Sequence, residues 1–282
     1  MKILVTAPPG IGKSTVIDAV VSQYPGQRHG IVARELLDKT GIRNGFTSIN
    51  TLGESRQFMF HTDRPTAETI GGEYDVDIQA IDAFVVPELQ KGIKDPDGLT
   101  YIDEIGRAQA KSETFIATLR ELFATDNNIL GAIVYDDEPW SLEFKQAPGI
   151  CTIEVTAQNR NALPNILLAA FGGATLFSRL NSAQQAKVFA MLKSFVASNQ
   201  FNAAMKLFVN ALPYVVDHRI RLLNKEGPTS EFLISGHTRD HTVFWNDDEG
   251  TFICDCDLAN GRGAFQNKAE TCSHHMSILL SN

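Results

Sequence analysis

The sequence predicts an α/β fold over residues 1–172, a mostly parallel sheet flanked by helices with a β-meander inserted in it. A helical hairpin over 173–228 and a small β-rich module over 229–282 follow. Three observations predict this. Apolar strand-like runs alternate with amphipathic helical stretches as far as about residue 170. The first of these runs enters a glycine-bearing turn that opens directly into a helix. Finally, Cys254, Cys256, Cys272 and His274 gather in the last 30 residues, in a segment of short strands and turns.

The opening strand is Ile3-Leu4-Val5, and the turn after it reads Ala7-Pro8-Pro9-Gly10-Ile11-Gly12-Lys13-Ser14-Thr15. Val16, Ile17, Ala19 and Val20 then mark the apolar side of a helix. Consecutive backbone N–H groups in such a turn converge on an anion, and the helix N-terminus adds a favourable dipole. A lysine at position 13 can reach the β- and γ-phosphates of a nucleotide, and a serine at 14 can hold Mg²⁺. The segment Pro9 to Thr15 is therefore a candidate site for a nucleoside triphosphate such as ATP or GTP. The pattern asks for Gly where this chain has Ala7, and Ala fits if the backbone there keeps φ negative. A chance Gly-Ile-Gly-Lys-Ser turn is the plain alternative.

Gly30 to Leu36 reads as the next strand, Asn44-Gly45 as a turn, and Phe46 to Asn50 as a hairpin partner, which together make the meander. Ile78, Ile81, Phe84, Val85 and Leu89 give a helix over 75–92, with Gly92 as its C-cap. Gly98 to Ile102 is an apolar strand that ends in Asp103-Glu104. An acidic residue closing a buried strand can order a Mg²⁺ shell, and an adjoining Glu can polarise an attacking water. A solvated strand end is the alternative for both. Ser112 caps a helix bearing Phe115, Ile116, Leu119, Leu122 and Phe123. Ile129 to Val134 and Cys151 to Val155 are further strands, Asn165 to Phe171 is a closing helix, and Gly172-Gly173 marks a domain boundary.

Beyond it, residues 181–223 carry two amphipathic stretches joined near Ser198-Asn199-Gln200, a helical hairpin. Gly227-Pro228 breaks the chain. Short strands follow at Glu231 to Ser235, Thr242 to Trp245 and, after the turn Asp248-Glu249-Gly250, Thr251 to Ile253.

Composition bounds the function. The 282 residues are 43% hydrophobic and 21% charged, ordinary for a globular protein. No apolar stretch approaches the roughly 20 residues that span a bilayer. The N-terminus has no leader layout, so no membrane partner and a cytoplasmic location are expected. Residues 1–170 hold 15 Lys and Arg against 23 Asp and Glu, whereas residues 171–282 hold 10 of each. Neither part carries the basic footprint of broad nucleic-acid binding.

The end of the chain reads Cys254-Asp255-Cys256, fifteen residues, then Cys272-Ser273-His274. Three thiolates and one imidazole suit tetrahedral Zn²⁺, and a closed set of four is the structural kind. The Gly261-Arg262-Gly263 loop between them is too polar to form a core, so a metal would supply the cohesion. Two unrelated thiol pairs with an incidental His are the alternative. His275 competes by position. His237 and His241 read as ordinary polar residues.

Residues 1–170 resemble the P-loop nucleoside-triphosphatase family of the thermophilic and cancer-related type. The likeness rests on Pro8 to Thr15, on Ile102-Asp103-Glu104-Ile105-Gly106, on Tyr74-Asp75-Val76-Asp77 and on Val155-Thr156-Ala157-Gln158-Asn159-Arg160 before Leu163-Pro164. It implies Mg²⁺-dependent hydrolysis of NTP to NDP and phosphate with loose base preference. It also implies phosphate binding by Gly10, Gly12, Lys13, Ser14 and Thr15, with Asp103 and Glu104 serving metal and water. Arg160 falls beside the base or phosphates in that likeness, a surface ion pair being the other reading. Arg107 stands where the family usually has Lys. Gly72-Glu73 stands where a basic residue is commoner. Residues 232–282 are similar to the SWIM zinc finger, whose C-x-C and C-x-H pairs Cys254, Cys256, Cys272 and His274 match. That likeness implies a DNA or protein partner. A kinase that passes the γ-phosphate to an acceptor, and a slow nucleotide-dependent binding switch, are rival functions for the same loop.

Overall fold

The computed structural model describes residues 1–281 except 67–68, 158, 162, 173–178, 197–209, 237, 250 and 257–271. The chain forms two compact units, Met1–Pro164 and Asn165–Asn282.

The first unit is built on an eight-stranded sheet in the order β5-β4-β3-β2-β6-β7-β1-β8. Its strands are β1 (Lys2–Thr6), β2 (Arg28–Leu37), β3 (Arg43–Asn50), β4 (Ser55–His61), β5 (Tyr74–Val76), β6 (Leu99–Ile105), β7 (Asn128–Ile133) and β8 (Ile150–Glu154). Strands β2, β6, β7, β1 and β8 pair in parallel. Strands β3, β4 and β5 add antiparallel to β2, and this is the expected meander. Parallel strands are buried on both faces, which accounts for the unbroken apolar run of β1, where Ile3, Leu4 and Val5 are all inaccessible to solvent. It also places the carboxyl ends of β1 and β6 at the same end of the sheet, where ligands of open α/β folds bind.

The helices of this unit are α1 (Lys13–Gln23), α2 (Ile78–Ala80), α3 (Val86–Ile93), α4 (Glu113–Ala124) and α5 (Pro139–Lys145), while α6 (Leu163–Gly172) starts at the unit boundary and belongs mostly to the second unit. The Ser112 side chain accepts from the Phe115 N–H and caps α4 as expected. A π-helical turn, Ile81–Val85, joins α2 to α3 immediately before Pro87. Proline has no N–H to continue an α-helical ladder, and the wider turn accommodates it.

Three expectations need correction. The turn of the β2–β3 hairpin lies at 38–42, because Asp38 accepts from the Thr40 and Ile42 N–H groups and closes the loop first. Gly45 lies inside β3, where a Cβ would meet the Met59 carbonyl at 2.1 Å, so it serves the close approach of β4. The helical stretch begins after β5, with Asp77 capping α2, and Gly92 lies within α3 against Thr100 while Lys94 is the C-cap.

The second unit holds α7 (Ser182–Val196), a helical segment at 210–216 and a four-stranded antiparallel sheet in the order β12-β11-β10-β9. Its strands are β9 (Ile220–Glu226), β10 (Thr229–Ile234), β11 (His241–Asn246) and β12 (Thr251–Cys254), and α8 (Ser273–Ser281) follows. Residues 220–223 are therefore strand, not helix: Gly227, at φ +57°, turns the chain into a β9–β10 hairpin that claims them. The joint near Ser198-Asn199-Gln200 and the Gly261-Arg262-Gly263 loop lie outside the described residues, as does His237. Phe232, Ile234, Val243, Phe252 and Ile278 form the core, together with Cys254, Cys256 and Cys272. Among the described residues, no helix is long and apolar enough to cross a membrane.

Candidate functional site

The turn after β1 holds Gly10 at φ +78° and Gly12 at φ +117°, and Gly12 is the N-cap of α1. Both are left-handed conformations that a Cβ disfavours, so the two glycines are what let the loop turn tightly from β1 into α1. Ala7 is fully buried and lies outside the positive-φ residues, so its methyl is tolerated. Its carbonyl accepts from Lys13 Nζ at 3.0 Å, which folds the lysine back over the loop.

The strand that carries Asp103 and Glu104 meets this loop from the side. The β6–β7 register shifts between Ile102 and Ile105, so the two acidic residues fall outside that ladder, while Asp103 still pairs with Val32 of β2. Asp103 is 2% exposed and accepts a hydrogen bond from the Ser14 hydroxyl. Burial pushes its carboxyl up to about 6, against the Ser14 bond, which lowers it, while neighbouring Glu104 raises it further. Glu104 is more open, and its Oε2 lies 4.0 Å from Lys13 Nζ. Arg160 donates from Nη1 to the Ile11 carbonyl at 3.3 Å, so it lies against the loop. The structure thus brings together Ile11, Gly12, Lys13, Ser14, Asp103, Glu104 and Arg160, with Pro9, Gly10 and Thr15 in the same continuous turn. The Ser14 hydroxyl and the Asp103 carboxylate are hard oxygen donors of the kind Mg²⁺ takes, already in contact with each other. Arg107 instead faces Asp136 at 2.6 Å and Glu138 on the surface.

One residue went unnoticed in the sequence. Arg34 of β2 donates from Nη1 to Asp103 Oδ2 at 3.3 Å and from Nη2 to both oxygens of Asp18 at 2.6 Å. No spacing rule joins positions 18, 34 and 103, and only the parallel pairing of Val32 with Asp103 brings them near.

In the second unit, the ligand atoms of Cys254, Cys256, Cys272 and His274 all lie within 4.8 Å of one another, and all four residues are buried. Cys254 ends β12 and Cys256 stands two residues beyond it, while Cys272 immediately precedes α8 and His274 lies in its first turn. Cys254 Sγ and His274 Nδ1 are 3.6 Å apart. A tetrahedral zinc with bonds of about 2.3 Å to sulfur and about 2.0–2.1 Å to nitrogen has an S···N edge of about 3.6 Å, so this donor set fits the ion. The shared hydrogen bond of Cys254 and Cys272 raises the Cys254 thiol and lowers that of Cys272. His275 turns away, stacked on Phe252 at 3.8 Å and on Trp245 at 4.8 Å. His241, read above as an ordinary polar residue, stacks on His274 at 4.1 Å and pairs with Asp255 at 2.9 Å.

A family model described as NTPase matches residues 2–168. The nucleoside-triphosphatase THEP1 of Aquifex aeolicus (strain VF5) is 30% identical over 176 residues, 60% of this chain and 98% of the relative. The crystal structure of THEP1 from the hyperthermophile Aquifex aeolicus aligns with a TM-score of 0.54 at 28% identity, over 61% of this chain and 99% of that one. The solution structure of a human cancer-related nucleoside triphosphatase aligns with a TM-score of 0.51 at 27% identity, over 60% and 96%.

Proposed function

The chain belongs to the NTPase family and is a nucleoside triphosphatase; from that premise we propose that it cleaves NTP to NDP and phosphate at the Pro9–Thr15 loop with Mg²⁺. The observation that carries this is the meeting of Ser14 with Asp103 and of Lys13 with Glu104 at the carboxyl ends of β1 and β6. The loop N–H groups cradle the phosphates, and Lys13 leaves the Ala7 carbonyl to neutralise charge on the transferred group. Ser14 and Asp103 would hold the metal, which would supply positive charge to offset the charge that builds up on the phosphate oxygens. Glu104 accepts the proton of the attacking water. Arg160 closes over the loop on the nucleotide. ATP, GTP and other NTPs fit this account, since none of these contacts reads a base.

The same reading extends to the second unit. Cys254, Cys256, Cys272 and His274 hold a structural Zn²⁺ in a SWIM-like module whose sheet starts at β9, and a segment that includes α7 and the helical residues 210–216 links it to the NTPase domain over 1–172. The module serves a DNA or protein partner, and the reduced thiols suit a cytoplasmic location. What supports this is the buried donor set with its 3.6 Å S···N edge.

Phosphate release from a panel of NTPs, with no acceptor added, tests the reaction. Release from NTP and Mg²⁺ alone is expected. No free phosphate, with NDP formed only when an added nucleotide, nucleoside or nucleic-acid end takes up the γ-phosphate, would identify a kinase and sink the proposal.

A further inference from the structure

We propose that Arg34 is a positioning residue for the metal site: anchored on Asp18, it holds Asp103 in place against Ser14. This rests on the Mg²⁺-dependent reading above and deepens it. Four side chains close a ring across three elements. Ser14 and Asp18 are both on α1, four residues apart, and so share a helix face. Ser14 donates to Asp103 on β6. Asp103 accepts from Arg34 Nη1 at 3.3 Å, and Arg34 Nη2 returns to Asp18 at 2.6 Å. The ring ties the metal carboxylate to the helix that carries the metal hydroxyl.

The chemistry of each corner fits that task. Asp103 is almost wholly buried, and a buried carboxylate needs a fixed counter-charge. Arginine presents a planar fork that can serve two carboxylates at once, whereas a lysine ammonium is a single point charge. Nη1 also donates to the Ala33 carbonyl at 3.0 Å, which fixes the plane of the fork. Asp18 is about half exposed; besides its like charge near Asp103, its part is to aim Arg34 through the 2.6 Å pair. Side chains that orient metal ligands in this way are worth 10- to 100-fold in metal affinity.

The test uses the full chain and two variants, Arg34→Lys and Asp18→Asn. Mn²⁺ binding is measured by electron paramagnetic resonance in the presence of a non-hydrolysable ATP analogue, and the Mg²⁺ midpoint of phosphate release is measured in parallel. Both variants should need about tenfold more metal by both readouts. Binding of the analogue in EDTA should stay within about twofold of the parent, since no residue of the loop itself is altered. Asp18→Asn keeps the test decisive if Arg34→Lys folds poorly, because Asp18 lies at the surface. Metal midpoints equal to the parent's in folded Asp18→Asn and Arg34→Lys would overturn the role of Arg34 and leave the NTPase reading standing. A parent that shows neither Mn²⁺ binding nor Mg²⁺-dependent phosphate release would overturn both.

Discussion

Replacing Asp103 by Asn should stabilise the metal-free protein while disabling it. Burial moves the carboxyl from its ordinary 3.8 to about 6. Between these values the folded state binds the proton more tightly than the unfolded state. The folded state is therefore spared the penalty below pH 4, loses stability as pH rises through about 6, and carries the full penalty above it. At 1.36 kcal/mol for each pH unit, the penalty at pH 8 is about 3 kcal/mol. Asn removes it but weakens the hydrogen bonds with Ser14 and Arg34, which offsets about 1–2 kcal/mol. The pH-dependent part is the cleaner quantity, because the weakened bonds enter at every pH. The assay is urea unfolding in EDTA, followed by Trp140 fluorescence in a Trp245→Phe background so that the signal comes from the first unit. The stability difference between Asp103→Asn and its parent should grow by about 2 kcal/mol from pH 4 to pH 8. A difference that is flat across that range would refute the reasoning.

Further predictions concern the two sites. Glu104→Gln should bind nucleotide as the parent does and lose about 10²- to 10⁴-fold in turnover, the usual worth of a general base, as checked by single-turnover phosphate release. Protein purified without chelator should contain about one zinc per chain by metal analysis, and Cys272→Ser should contain little, because three donors do not close a tetrahedral site. Stripping the zinc should also alter Trp245 emission, since Trp245 stacks on His275, the neighbour of the ligand His274.

What the sequence made legible was local in the chain. The phosphate loop is a strand, a turn and a helix start in 15 consecutive residues, and Asp103-Glu104 follows directly on an apolar strand. The two halves of the thiol cluster are likewise adjacent pairs. What the sequence concealed depends on competition or on long-range pairing. Asn44-Gly45 is a strong turn signal, yet Asp38 closes the hairpin earlier and leaves Gly45 in a strand. Leu222 and Leu223 continue a helical spacing, yet both lie exposed on β9 because the Gly227 turn pairs that segment with β10. Arg34 gave no signal at all, because its partners lie 16 and 69 residues away and meet it only through the β2–β6 register. His241 gains its place from ring stacking across the second sheet, which no residue spacing encodes.

The most direct measurement is phosphate release by Lys13→Ala beside the parent, at saturating NTP and Mg²⁺, with unfolding curves for both. Lys13 bridges the Ala7 carbonyl and the neighbourhood of Glu104 and carries the positive charge of the loop. The account predicts a loss of at least about a hundredfold in turnover, as for removal of one charge-stabilising donor, with an unfolding curve like the parent's. Parent-like turnover by folded Lys13→Ala would contradict it.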